Sequence, residues 1–228
     1  MSKKRKDFFA LMVLGPPGSG KGTQIKLLSE KLGFLHLISS QLIKNSIKNN
    51  KDPETIRQKE RQDKGLLCEP EWVFERVKEK TQEIYNDHDN CKGIIFDGSP
   101  RTLYEAEHLY NLLVNLIGKD NIKIMEINIS EDELKKRISK RLVCSNSSQH
   151  VFIKSEDLKP EMPCPDCDGV LLLRVDDKSE ALDIRMQEYI NQTLPMLDYL
   201  KKNHEVIVIN GEQSIDIVHQ EIVQKLGL

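Results

Sequence analysis

An apolar run, Phe8-Phe9-Ala10-Leu11-Met12-Val13-Leu14, passes directly into Gly15-Pro16-Pro17-Gly18-Ser19-Gly20-Lys21-Gly22-Thr23. The order is strand, glycine-rich turn, helix, and Gly15, Gly20 and Lys21 hold the fixed places of the G-x-x-x-x-G-K phosphate loop. Glycines let the backbone fold back so that successive N–H groups face phosphate oxygens, and a helix starting near Gly20 adds its positive end. Lys21 adds a mobile full charge. A plain connector is the competing reading, and the lysine in register argues against it. The residue after Lys21 is Gly22, so a hydroxyl contact to Mg²⁺ from that place is missing, and Thr23 or water serves instead.

The rest of the chain alternates in the same rhythm. Near-continuous apolar segments at Phe8–Leu14, Phe34–Leu37, Gly93–Phe96, Ile122–Ile129 and Glu205–Ile209 predict strands covered on both faces, as in a parallel sheet. Helical patterns lie between them: Thr23–Leu32 closed by Gly33, Pro70–Tyr85 opened by a proline, and Tyr104–Ile117 closed by Gly118. Ser130 caps a further helix, and Ala181–Leu200 and Ser214–Leu226 complete the set. The alternation implies right-handed crossovers and an α/β three-layer fold around a five-stranded parallel sheet. Two segments interrupt it. Residues 45–69 are polar and helical; residues 143–174 are irregular, with β-like pieces at His150–Ile153 and Val170–Leu173. The expected division is a core of 1–44, 70–142 and 175–228, a helical insert at 45–69 and a small β-rich insert at 143–174.

Charge excludes some partners. The 34 Lys and Arg nearly balance 36 Asp and Glu, giving a net charge of −2, so neither nucleic acid nor an anionic membrane is an electrostatically favoured partner. The basic start Lys3-Lys4-Arg5-Lys6 reads as a solvated tail or a targeting patch. No apolar stretch approaches the ~20 residues of a membrane span. The phosphate loop lies too near the start to leave room for a signal peptide. Five cysteines, three of them clustered, suit a reducing, cytoplasmic compartment and a metal site rather than a disulfide framework. Cys68 and Cys91 read as small core residues. Nothing demands more than a monomer.

Ile94-Ile95-Phe96 ends in Asp97, a carboxylate at the C-terminal edge of the sheet, facing the phosphate loop and placed to hold Mg²⁺ through water. A helix-capping aspartate is the alternative. Arg101 follows at the same crevice. Arg137 and Arg141 lie four apart, which on a helix places them on one face. With Arg174 and Arg185 they flank the second insert and read as a phosphate clamp, since phosphoryl transfer asks for positioning and positive charge rather than covalent chemistry. Arginine's planar fork suits that task.

These motifs, in this order, resemble the adenylate kinase family in its long-lid form. Asp97-Gly98-Ser99-Pro100-Arg101-Thr102 is similar to the family's Asp-Gly-Phe-Pro-Arg-Thr, Arg137-Ile138-Ser139-Lys140-Arg141 to the run opening its lid, and Arg174-Val175-Asp176-Asp177 with Arg185 to the lid's closing pattern. The resemblance implies reversible transfer from MgATP to AMP, with Lys21, Arg101, Arg141, Arg174 and Arg185 around the transferring phosphoryl. It places Gly18, Ser19, Gly20, Lys21, Gly22, Thr23, Arg137, Arg141, His150, Val151 and Gln213 at ATP. It places Ser39, Lys44, Leu66, Leu67, Cys68, Gly98, Ser99, Pro100, Arg101, Glu105, Arg174 and Arg185 at the monophosphate. Residues 45–69 would then bind the monophosphate and 143–174 would close over ATP.

The acceptor side departs from the pattern. Ser39-Ser40-Gln41-Leu42-Ile43-Lys44 replaces a Thr-Gly-Asp segment followed by Arg, and Glu105 stands where the family has an adenine-reading Gln. Ionised Glu only accepts hydrogen bonds, which suits a base edge with two donors such as guanine. AMP is the default acceptor; GMP, CMP or UMP, or a non-catalytic nucleotide-binding protein, are the alternatives. In the second insert Cys144-x-x-Ser147 and Cys164-x-x-Cys167 have the spacing of a zinc knuckle with one weak ligand, and His150 is close enough to complete Cys₃His. A metal-free insert with three thiols is the other reading.

Overall fold

The computed structural model describes residues 7–87, 91–147, 150–173 and 179–227. Five parallel strands, β1 (Phe9–Leu14), β2 (Leu35–Ile38), β3 (Gly93–Asp97), β4 (Ile122–Asn128) and β8 (Val206–Asn210), form one sheet in the order β2-β3-β1-β4-β8. The phosphate-loop strand is therefore central. Its register sets Val13 opposite Asp97 on one side and Leu14 opposite Glu126 on the other.

Strand side chains alternate between two cores, which explains the near-continuous apolar runs. Ala10, Met12, Leu14, Ile94, Phe96, Ile122 and Ile124 face a layer of α4 (Pro70–Asp87), α5 (Leu103–Ile117) and α8 (Leu194–Asn203). Leu11, Val13, Ile95, Met125, Ile127 and Ile209 face α1 (Lys21–Leu32) and α9 (Ile215–Leu226). This is the expected three-layer α/β architecture. Helix ends carry the expected chemistry: Gly33 takes a left-handed conformation after α1, and Ser214 accepts the Ile217 N–H at the start of α9.

Several details differ from the sequence reading. The expected helix over Ala181–Leu200 is interrupted: α7 (Ser179–Glu188) gives way to a π turn at Tyr189–Thr193 before α8. Pro195 lies in the first turn of α8 and has no N–H to offer the carbonyl a turn back, so the backbone widens ahead of it. The helix α2 (Ser39–Asn49) begins ahead of residue 45 and runs through it; α3 (Pro53–Asp63) follows, capped by Asp52.

The second insert holds a separate antiparallel sheet, β6-β5-β7, from β5 (Arg141–Cys144), β6 (Val151–Ile153) and β7 (Leu171–Leu173). Arg141 is thus on a strand, not on the helix of Arg137, because α6 (Glu131–Ser139) ends and the chain turns into pairing with β6. The shared helical face expected for these two arginines does not exist. Among the described residues, no helix is long and apolar enough to cross a membrane.

Leu113, fully buried on α5, packs into the first core. Leu113→Ala is expected to lower the unfolding free energy by about 2–5 kcal/mol. Ser214→Ala, which removes only a cap, is expected to lower it by about 1 kcal/mol. Urea melts compare the two.

Candidate active site

The loop after β1 is shaped by three glycines with positive φ, Gly15, Gly18 and Gly20. Gly15 has φ 137°, and a Cβ there would lie 2.3 Å from the Ile127 carbonyl oxygen of β4. Gly20 has φ 94° and leads into α1, whose first-turn N–H groups open onto the loop. A Cβ at Gly22 would meet nothing within 4 Å, so space is not the reason for the missing hydroxyl.

Lys21 curls over this loop. Its Nζ donates to the carbonyls of Gly15 at 2.8 Å and Pro16 at 2.7 Å and to Ser19 Oγ at 3.4 Å. Burial pushes its ammonium down to about 7; the Asp97 charge opposes this, and Arg101, Arg185 and Arg141 push further down. The fold therefore brings Asp97, Arg101, Arg141 and Arg185 within electrostatic reach of Lys21. Arg174 lies outside the described residues.

Burial works against the Asp97 charge, but a hydrogen bond from His36 and the charges of Lys21 and Arg101 outweigh it and hold the carboxyl below its usual range. The His36 Nε2–Asp97 Oδ2 distance is 3.0 Å. Asp97 is thus a fixed anion and not a helix cap; Thr102 caps α5 instead. Sequence reasoning missed His36. A lone histidine within Phe34-Leu35-His36-Leu37-Ile38 was the available signal, and only the β2–β3 register shows what it meets.

The crevice beside Asp97 is tight. At Gly98, with φ 78°, a Cβ would come within 2.7 Å of Ser39 Oγ and 2.9 Å of Arg101 Nη2. Ser39 and Arg101 therefore both press against this glycine. Ser99 and Pro100 are buried behind it, joined by a cis peptide. Glu105 is also buried: its Oε2 accepts from Ser99 Oγ at 2.8 Å and Arg101 N–H at 3.3 Å, and its Oε1 from Thr102 Oγ1 at 3.3 Å. Lys44 is exposed on α2. Leu66 is exposed, Cys68 is buried, and the Leu67 N–H donates to Glu188 Oε2 at 2.9 Å. Cys91 is buried as expected.

On the other side of the phosphate loop, Ile138 lies 2.9 Å from the Cβ position of Gly18, and Arg137 Nη1 lies 3.8 Å from that of Gly20. Arg137 is held by Glu133 at 2.8 Å. Gln213 donates to Glu221 at 3.0 Å, and Val151 is an exposed residue of β6.

In the small sheet, one donor atom each from Cys144, His150, Cys164 and Cys167 lies within 4.8 Å of the others. Ser147 is not in this quartet. Its carbonyl accepts the His150 N–H at 3.2 Å, and its own N–H supports the Cys144 sulfur. A Cβ at Gly169 would lie 2.4 Å from Cys144 Sγ, so the turn closes on the sulfur only with glycine there. Three sulfurs and an imidazole match the tetrahedral donor set that zinc prefers.

A model of the adenylate kinase family matches residues 13–205. An adenylate kinase of Acetivibrio thermocellus is 34% identical over 221 residues, covering 95% of this chain and 97% of the relative. One from Caldicellulosiruptor saccharolyticus is 33% identical over 219 residues, covering 96% and 99%. One from Chlamydia felis is 34% identical over 212 residues, covering 93% and 94%.

The Lys21 shift has a consequence for stability. Between about pH 7 and the unfolded value of 10.5, the unfolded chain holds this proton while the folded chain has released it. Stability from this group therefore rises with pH across that window, and below pH 7 the folded state carries the full cost of the buried charge. Lys21→Met is expected to be more stable than the wild type at pH 6–7, with the gap closing toward pH 10, in urea melts of the nucleotide-free protein.

Proposed function

The chain belongs to the adenylate kinase family, and from this premise we propose that it moves the γ-phosphoryl group reversibly between MgATP and AMP, giving two ADP. The observation that carries the reading is the gathering of Lys21, Arg101, Arg141 and Arg185 around the phosphate loop, opposite the fixed carboxylate of Asp97. Binding alone asks for fewer cations. Transfer asks for charge on the equatorial oxygens of a phosphoryl group held in line.

In this mechanism the loop N–H groups from Gly18 to Thr23 cradle the ATP phosphates, and Lys21 turns from the loop carbonyls to the outer ones. Asp97 holds waters of the substrate's Mg²⁺. Arg137, Val151 and Gln213 line the donor nucleoside. Ser39 and Arg101 meet the acceptor phosphate, with Lys44, Leu66, Leu67, Cys68, Gly98, Ser99 and Pro100 around the monophosphate. Arg141, Arg174 and Arg185 complete the ring from the second insert and α7. Closure of residues 45–69 and 143–174 excludes water, so the phosphoryl passes to AMP rather than to solvent.

The structural metal of the second insert is read as zinc on Cys144, His150, Cys164 and Cys167. His150 then serves the metal with its ring and the donor side only with its backbone. Zinc would cross-link the knuckle and supply no chemistry at the phosphates. The free, closely set cysteines suit a reducing, cytoplasmic compartment, and the protein is read as a monomer.

Three results test this. ADP should form from ATP with AMP in preference to GMP, CMP or UMP; no ADP with any of them overturns the enzyme reading, and a preference for another base overturns AMP. Arg101→Ala should lower kcat by at least about 100-fold with an unchanged circular dichroism spectrum. Purified without chelator, the protein should carry about one zinc per chain; His150→Ser should lose it and Ser147→Ala should keep it, by elemental analysis.

A further inference from the structure

Glu105 is 3% exposed, and the mechanism above gives its carboxylate no task. It lies at the third position of α5, with Thr102 as N-cap, and the Glu105 N–H donates to Thr102 Oγ1 at 3.3 Å. The two form part of a capping arrangement. Its remaining partners extend beyond a cap. Ser99 Oγ donates to Oε2 at 2.8 Å, and the Arg101 N–H reaches the same oxygen at 3.3 Å. Thr102 Oγ1 reaches Oε1 at 3.3 Å. Donors from three residues of the Ser99-Pro100-Arg101-Thr102 turn thus converge on one buried carboxyl group, whose pKa burial pushes up against the pull of these bonds and of Arg101, behind the crevice lined by Ser39 and Arg101.

The three donors fill most of the roughly four acceptor sites of this carboxyl group, so a base that relied on it for more than one contact would have to displace a donor already in place. Leaving a buried donor unpaired carries a penalty that an exchange for one base contact does not recover. The hydroxyl that makes the shortest of these bonds belongs to Ser99, at the place where the family resemblance has a phenylalanine. The unusual serine and the unusual glutamate are therefore bonded to each other.

Resting on the reading of this chain as a monophosphate kinase, we propose that Glu105 is a positioning residue, a buried clasp that fixes the turn carrying Arg101, and that it does not read the acceptor base. Base discrimination then arises elsewhere in the pocket, and Glu105 acts on transfer through Arg101. The clasp tolerates any acceptor whose phosphate reaches Ser39 and Arg101.

The experiment compares wild type, Glu105→Ala, Glu105→Gln and Ser99→Ala as full-length proteins, measuring ADP formation with AMP and with the next-best of GMP, CMP and UMP. Glu105→Ala is expected to lower kcat about 10–100-fold with both acceptors, leaving their ratio of kcat/KM and the KM for ATP unchanged within about threefold. Glu105→Gln, which keeps an acceptor oxygen, recovers part of the loss. Ser99→Ala shows the same pattern with a smaller loss, and decides the matter if Glu105→Ala fails to fold. A rise in KM for AMP alone with kcat intact, or a shift in the acceptor ratio beyond about tenfold in Glu105→Gln or Glu105→Ala, overturns the clasp and makes Glu105 a base contact. A wild type that makes no ADP from any monophosphate defeats the kinase reading instead.

Discussion

Like charge crowded around one ammonium is the constraint on which the molecule is built. Lys21 sits where burial and three arginines all oppose its proton, and Asp97 is the charge that argues for keeping it. A cluster of this kind does not stabilise a folded chain. It is tolerated because the two cores beneath it contain fully buried side chains such as Phe96, Met125 and Leu113. A polyanion entering the cluster relieves the repulsion, and the relief is greatest for the species with most charge on its terminal oxygens. The arrangement thus favours a phosphoryl group in transit over one at rest.

The sheet order makes the crowding possible. With β1 central and parallel to β3 and β4, the phosphate loop and Asp97 leave the sheet at the same edge, and the turns after β3 and β4 converge there. Close approach then demands particular residues. Gly15 lets the loop press on the Ile127 carbonyl, and Gly98 leaves room for Ser39 and Arg101 to press against it. A side chain at either place would be strained by its backbone and would push apart groups that must act together.

Much of this was legible in the sequence, for local reasons. Glycine spacing, a lysine in register and apolar runs report on their own neighbourhood, so the phosphate loop, the strands and the flanking helices were readable. What depends on register or on competition between local preferences was not. Arg137 and Arg141 have helical spacing, yet the helix stops between them because β5 gains partners on both sides. His36 looked like any strand residue until the β2–β3 pairing set it beside Asp97. Glu105 carried the right chemistry for a base edge, and only the folded turn shows its oxygens already engaged. The knuckle lay between these cases: the cysteine spacings and a nearby His150 were plain in the sequence, and the fold shows the histidine ring, not Ser147, grouped with the three sulfurs.

The small sheet shows why a metal suits this insert. Its strands are three or four residues long, and its buried cluster is Leu142, Cys144, Cys164 and Leu171. Ile153 and Leu173 are half exposed, at 50% and 56%, so these two side chains gain little from burial. So small a core offsets only part of the cost of ordering some thirty residues, and a metal cross-link would supply more. Two members of that core are themselves metal-suited cysteines, so packing and ligation share the same side chains. Asp166 lies between Cys164 and Cys167 and meets Lys26 of α1 at 3.5 Å, side chains part exposed. An exposed pair of that kind contributes little energy. Its importance is geometric: the turn that carries Cys164 and Cys167 is also the turn that touches the phosphate-loop helix, so whatever orders the knuckle orders that contact with it.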